Sequence, residues 1–235
     1  MVVAERLLEL RRSVCDANLA LQAHGLVIFT WGNVSAIERS SGLVVIKPSG
    51  VGYDELSPEK MVVVDLNGQV VEGDLNPSSD TPTHVEIYKK LEVEAIAHTH
   101  STWATTFAQL GMDIPALGTT HADHFYGPIP CTREMTSDEI ADKYEENTGR
   151  VINELFEDRD PSQMPGVLVR GHGPFVWGKS LSAVIYNSVV LEYVARMAHN
   201  VLSVNPSASP LPQELLDRHF LRKNGAGRYY GQVEG

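Results

Sequence analysis

The sequence predicts an α/β protein: one mixed sheet covered by helices, without the regular alternation of a doubly wound parallel sheet. Three observations carry that prediction. Short β-branched runs alternate irregularly with helical patterns along the 235 residues. Asn67-Gly68 sits between the apolar runs 61–65 and 69–72, a strong two-residue hairpin signal that demands antiparallel neighbours. A mostly apolar stretch, 182 to about 204, reads as a long helix and is expected to be largely buried.

The elements follow in order. Leu7, Leu10, Val14, Ala17 and Leu21 recur at intervals of three and four and make one stripe of a helix over 4–23, with Gly25 as its cap. Residues 26–30 read as a strand, as do 42–47, which run into Pro48-Ser49-Gly50. Ser57-Pro58 resembles a helix start. Thr81-Pro82 opens a helix to about Leu91, so Ser78 and Ser79 lie just before its N-terminus. Free amides, hydroxyls and the positive helix end there suit a phosphate, and equally suit plain capping. Asp80 fits a pure phosphate cradle poorly, since a carboxylate repels phosphate. A strand over 95–100 precedes a short helix capped by Ser101 and ending near Gly111. Residues 119–127 read as a loop rich in titratable groups. Thr136 to Glu139 fits a capping box for a helical region to about 157, interrupted near Asn147-Thr148-Gly149. Residues 166–170 and 175–177 read as strands around Gly171-His172-Gly173, and 213–223 as a last helix.

Composition limits the function classes. A net charge of −11 argues against a general nucleic-acid binder and means that an anionic substrate must be held by local features. No stretch approaches 18 apolar residues, and the first residues lack a signal-peptide pattern. Cys15 and Cys131 have no metal-motif spacing. The expectation is a single domain over 1–235, cytoplasmic, with reduced thiols and no membrane or nucleic-acid partner.

Chemistry enters at Ala95-Ile96-Ala97-His98-Thr99-His100. In a strand, His98 and His100 point the same way, and two neutral imidazoles on one face can share a metal ion if further ligands arrive. The same pair also suits the open polar face of a strand. His172, between two glycines, sits where a ligand can approach closely.

Seven motifs then stand together and in order: Thr30-Trp31-Gly32-Asn33-Val34-Ser35, Lys47-Pro48-Ser49-Gly50, Pro77-Ser78-Ser79-Asp80-Thr81-Pro82-Thr83-His84, His98-Thr99-His100-Ser101, Thr120-His121-Ala122-Asp123, Pro130-Cys131-Thr132-Arg133 and His172-Gly173-Pro174-Phe175. In these the chain resembles the class II aldolase/adducin family, and most of all its epimerase branch. The resemblance implies a three-layer α/β/α domain with a largely antiparallel sheet, and a homotetramer with sites between subunits. It also implies one divalent metal per subunit, usually Zn2+, on His98, His100 and His172 with Asp80 beside it. Gly32, Asn33, Ser49, Gly50, Ser78 and Ser79 match substrate and phosphate contacts. Asp123 and Tyr230 match a proton donor/acceptor pair, with the tail over 224–235 closing over the site. Lys47 is expected to add charge near the phosphate. Arg170-Gly171 before His172 departs from close relatives. His121 and His124 are expected to support the site from behind or to be structural, not to ligate the metal, and His219 lies near enough to the tail to approach the site.

The implied activity is interconversion of L-ribulose 5-phosphate and D-xylulose 5-phosphate, usually in arabinose use. The C4 hydrogen of such a ketose is not α to its C2 carbonyl, so direct proton abstraction leaves an unstabilised carbanion. Breaking C3–C4 and re-adding the opposite aldehyde face is easier, with a Lewis acid to stabilise the ketone fragment and two opposed proton carriers. The alternatives are a class II sugar-phosphate aldolase and, from another class, a non-catalytic adducin-like domain. Retention of all three histidines speaks against the last.

Overall fold

The structure is a computed structural model, and it describes residues 3–225. One seven-stranded sheet, in the order β4-β3-β2-β1-β5-β7-β6, organises it. The strands are β1 (Asn33–Glu38), β2 (Leu43–Ile46), β3 (Val62–Val64), β4 (Val70–Glu72), β5 (Ala95–His98), β6 (Gly166–Val169) and β7 (Gly173–Gly178). Each pairing is antiparallel, and an isolated parallel bridge joins Cys131 to Leu168. The helices are α1 (Val3–Ala23), α2 (Thr81–Lys90), α3 (Thr102–Leu110), α4 (Thr119–Ala122), α5 (Ser137–Ala141), α6 (Tyr144–Leu155), α7 (Leu181–Val204) and α8 (Gln213–Asn224).

Strand alternation sorts the core into two layers. Val34, Ala36, Val45, Val63, Ala95 and Ala97 face α1. Ile37, Val44, Val62, Val64 and Ile96 face the other way, into a cluster with residues of α2, α3, α6 and α7. The sheet is therefore the middle of three layers. Asn18 of α1 is fully buried and fixes where β1 begins: its Oδ1 accepts from Val34 N at 2.8 Å, and its Nδ2 donates to Val34 O at 3.2 Å.

Several expectations are corrected. Residues 26–30 form no strand, because β2 and β5 already occupy both edges of β1. They turn instead, with Trp31 N bonded to Ile28 O and Phe29 in the left-handed region at φ 55°. The hairpin loop has three residues, not two: Asp65 N bonds Gln69 O, and Gly68 takes φ +78°. The Asp65 carboxylate selects that loop by accepting from the amides of Asn67 and Gln69. Ser57-Pro58 opens only a single 3-10 turn, Pro58–Lys60. Residues 119–122 are a short helix, not loop.

The interruption expected at 147–149 lies earlier, at Asp142-Lys143, where Lys143 has φ 52°. Asn147, Thr148 and Gly149 are helical. Gly149 is there for contact: a Cβ would stand 2.5 Å from Glu86 Cβ and 3.0 Å from Thr83 O, both on α2. α7 is buried on one stripe only, through Val184, Leu191, Val194, Ala195 and Ala198. β7, β5, α3 and α1 cover that side, while Tyr186, Tyr193, Met197, Val201 and Val204 are exposed. No helix among the described residues is long and apolar enough to cross a membrane.

Candidate metal centre and phosphate pocket

β5 delivers His98 at its last residue, 1% exposed, with its ring stacked 4.2 Å from Phe175 of β7. His98 Nδ1 donates to Pro174 O at 3.0 Å, which leaves Nε2 with a free lone pair. His100 lies beyond the strand, so simple alternation does not place it. The turn after Thr99 does, bringing its Nε2 to 3.0 Å from His98 Nε2. His172 comes from the β6–β7 turn, after Gly171 at φ +73°. Its ring centre is 4.6 Å from that of His98 and 5.0 Å from that of His100. One ligand atom from each of the three falls within 4.8 Å of the others.

The chemistry of this donor set suits a divalent cation. Burial pushes all three imidazoles below their ordinary value, His98 to about 3, so they are neutral near pH 7 and offer lone pairs. His172 Nδ1 is buried without a hydrogen-bond partner among the described residues. Three neutral imidazoles converging from the end of β5, the segment after it and the β6–β7 turn can hold a metal and leave it open positions. Backbone packing enforces the convergence: a Cβ on Gly32 would stand 2.8 Å from His98 O, and one on Gly173 2.7 Å from Thr99 O.

Asp80 occupies the N-cap position of α2. Asn33 Nδ2 donates to Asp80 Oδ2 at 2.7 Å and to Ser78 Oγ at 3.0 Å. Burial raises the Asp80 carboxyl, but charge on the neighbouring histidines, felt only where they protonate, and the Asn33 amide more than offset it and hold it below its ordinary value. The 48–50 and 76–78 loops are laced together by Ser49 N to Asn76 O at 2.9 Å and Ser78 N to Lys47 O at 3.0 Å. One cavity of about 370 Å³ is lined by Gly32, Asn33, Lys47, Ser49, Gly50, Ser78, Ser79, Asp80, His98, His100 and His172. Those are all the sequence-proposed site residues except Asp123 and Tyr230.

Lys47, expected to add charge near the phosphate, lines the same cavity as a buried cation. It is 1% exposed, and its ammonium donates to Val51 O at 2.8 Å, Thr30 O at 3.2 Å and Pro48 O at 3.3 Å. Burial lowers it to about 8, so it remains cationic at pH 7 while tying the 48–51 loop to Thr30 beside the pocket.

Asp123 is elsewhere. It follows α4 and lines a separate cavity of about 1090 Å³ that shares no lining residue with the first. Its Oδ1 accepts from His219 Nδ1 at 3.0 Å and Arg222 Nε at 2.9 Å, and its Oδ2 from Arg222 Nη2 at 2.7 Å. Burial raises its carboxyl; those bonds and the guanidinium charge more than offset this and lower it. Tyr230 and residues 226–235 lie outside the described residues. His121, buried, bonds Gly127 O at 2.7 Å, and His124 bonds Tyr186 Oη at 2.7 Å and lines the same cavity as Asp123.

Sequence reasoning missed two supports. Arg222, the partner of Asp123, had a faint signal in the spacing His219, Arg222, Lys223 on one helix. Glu192 had none. From α7 its carboxylate accepts from the amides of Trp103 and Ala104 at 2.9 Å each, capping α3 where Ser101 was expected to do so. The loop carrying His100 is thereby pinned.

Comparison with known proteins adds relatives to this geometry. The family model described as "Class II Aldolase and Adducin N-terminal domain" matches residues 12–199. A protein of Salmonella paratyphi B named L-ribulose-5-phosphate 4-epimerase UlaF is 52% identical over 225 residues, 95% of this chain and 99% of its own. The Salmonella typhi protein of the same name matches to the same extent. Among solved structures, an L-fuculose 1-phosphate aldolase superposes with a TM-score of 0.76 at 26% identity, over 90% of this chain and 94% of its own. YgbL of Escherichia coli, a putative aldolase/epimerase/decarboxylase, gives 0.72 at 22% identity over 90% and 98%, a likeness of fold.

Proposed function

The chain belongs to the class II aldolase and adducin family, and from that premise we propose that it is a metal-dependent epimerase interconverting L-ribulose 5-phosphate and D-xylulose 5-phosphate. The observation that carries the proposal is 52% identity across 95% of the chain to proteins named for that activity. The pocket supplies the parts the reaction needs. His98, His100 and His172 would hold a divalent cation, Zn2+ by the nitrogen donor set, which would supply Lewis acidity for the charge that C3–C4 cleavage leaves on the ketone fragment.

The protein's own residues do the rest. Ser49, Ser78 and Ser79 offer hydroxyls, and Gly50 and Ser79 backbone amides, near the N-terminus of α2 to anchor the phosphate while the aldehyde turns. Lys47 adds a buried positive charge to their loop. Asp80, held by Asn33, stands beside the triad. On cleavage one group accepts the C4 hydroxyl proton, and on re-addition a group on the opposite side returns it. Asp123, kept ionised by Arg222, suits the acceptor role, and Tyr230 is its proposed counterpart.

Asp123 and the triad line different cavities of one chain. A site completed by a second subunit resolves that separation. Exposed Tyr186, Tyr193, Met197, Val201 and Val204 on α7 supply apolar surface for a homotetramer. A metabolic enzyme of this kind acts in the cytoplasm.

The test is to incubate the purified protein with L-ribulose 5-phosphate, with and without chelator, and follow both D-xylulose 5-phosphate and free aldehyde. Metal-dependent xylulose phosphate without accumulating aldehyde is the expected result. No metal-dependent turnover refutes the proposal, and stoichiometric aldehyde release makes the protein an aldolase.

A further inference from the structure

Behind the metal centre, the row of polar side chains that begins with Asp80 and Asn33 continues into groups that play no part in the reaction as described. On α2, Asp80, His84 and Tyr88 recur every four residues; on β1, Asn33 and Ser35 are two apart. Four helical residues advance about 6 Å and two strand residues about 7 Å, so the two rows run in step. Each rung is bonded. Asn33 Nδ2 reaches Asp80 Oδ2 at 2.7 Å. Ser35 Oγ lies 2.7 Å from His84 Nδ1 and 2.8 Å from Tyr88 Oη. Beyond the strand, Arg39 donates to the carbonyls of Tyr88, Leu91 and Val93, fixing the far end of the helix.

Ser35, His84 and Tyr88 are all at most 2% exposed. His84 Nε2 has no partner among the described residues, although it is buried. A contact selected for stability alone would be apolar, as it is one rung further along at Ile37. Polar groups retained at such a place point to positional specificity instead. The row also reaches the ligands by a second route: the His84 ring meets Phe175 edge-on at 5.8 Å, and Phe175 stacks on His98.

We propose that Ser35, His84 and Tyr88 form a polar register between β1 and α2 that holds the Asp80 carboxylate at the metal centre, with Ser35 and His84 as positioning residues. The proposal rests on reading His98, His100 and His172 as a metal site. Helix α2 has no side-chain cap bond of its own. The rungs set its axial position on the β1 side, while bonds to α6 hold its other face, and Asp80 moves with its first turn.

The test is Zn2+ affinity by chelator competition, without substrate, with circular dichroism to verify folding. Ser35→Ala removes the oxygen shared by both rungs and is expected to weaken Zn2+ binding about ten-fold. In an Asp80→Asn background the same change is expected to add no further loss, because it acts through Asp80. Tyr88→Phe, which deletes one rung and keeps the ring, is expected to give a smaller loss in the same direction and carries the test if Ser35→Ala does not fold. Wild-type protein that binds no Zn2+ overturns both the metal reading and the register. Wild-type binding with unaltered affinity in the folded variants overturns the register alone, as does an equal loss in both backgrounds.

Discussion

Gly149→Ala sets two effects of opposite sign against each other. The added Cβ would lie 2.5 Å from Glu86 Cβ and 3.0 Å from Thr83 O. Neither atom moves easily. Glu86 Cβ is fixed to the α2 backbone, and α2 is clamped to α6 by Thr83 Oγ1 to Glu145 O at 2.6 Å and Asn153 Nδ2 to Glu86 O at 2.9 Å. Overpacking of this kind costs about 1–3 kcal/mol. Alanine recovers roughly 0.5–1 kcal/mol of helix propensity in mid-helix. The expected net effect is a destabilisation of about 1–2 kcal/mol. Urea denaturation reads it as a lower midpoint at unchanged slope. A variant as stable as the parent, or more stable, would show that propensity governs the position and that α2 and α6 are not in tight contact there. Because α2 carries Asp80, the folded variant is also expected to bind Zn2+ more weakly.

Other outcomes are expected. Burial holds His121 near 4 against an ordinary 6.5, so below about 6.5 the unfolded chain takes up a proton that the folded chain refuses. Stability due to His121 is then lost as pH falls toward 4, by up to about 3 kcal/mol. The stability difference between the parent and His121→Gln should shift by that amount between pH 7 and 4, and a pH-independent difference refutes it. His100→Ala is expected to lose bound metal on elemental analysis; retained metal removes His100 from the ligand set. Asp123→Asn should keep its metal and slow epimerisation at least a hundred-fold, roughly the contribution of a placed acid or base, and parental turnover ends its proton-transfer role. Glu192→Ala should destabilise by about 1 kcal/mol and speed hydrogen exchange at the amides of Trp103 and Ala104, and unaltered exchange there refutes the cap.

Local pattern was legible wherever one residue type has one physical use. The stripe of α1, the capping box at Thr136, whose hydroxyl accepts from Glu139 N at 3.3 Å, and the proline start of α2 needed no tertiary information. The misreadings share a cause. Residues 26–30 have strand composition, but no free sheet edge reaches them. Gly149 looks like a break and is a contact. α7 is mostly apolar, yet one chain covers only one side of it.

By itself the sequence determined the family, the α/β class with an antiparallel hairpin and the residue types of the pocket, because motifs and periodicity are properties of neighbouring positions, whereas pairing every strand antiparallel was settled by the fold. Only the tertiary structure decided which of those residues meet. His98, His100 and His172 converge through the antiparallel pairing of β5 with β7 and the β6–β7 turn, Asp80 is brought in by Asn33 across 47 residues of chain, and Asp123 is turned away to Arg222. Such distances in sequence are closed by strand register and helix packing, which no local pattern encodes.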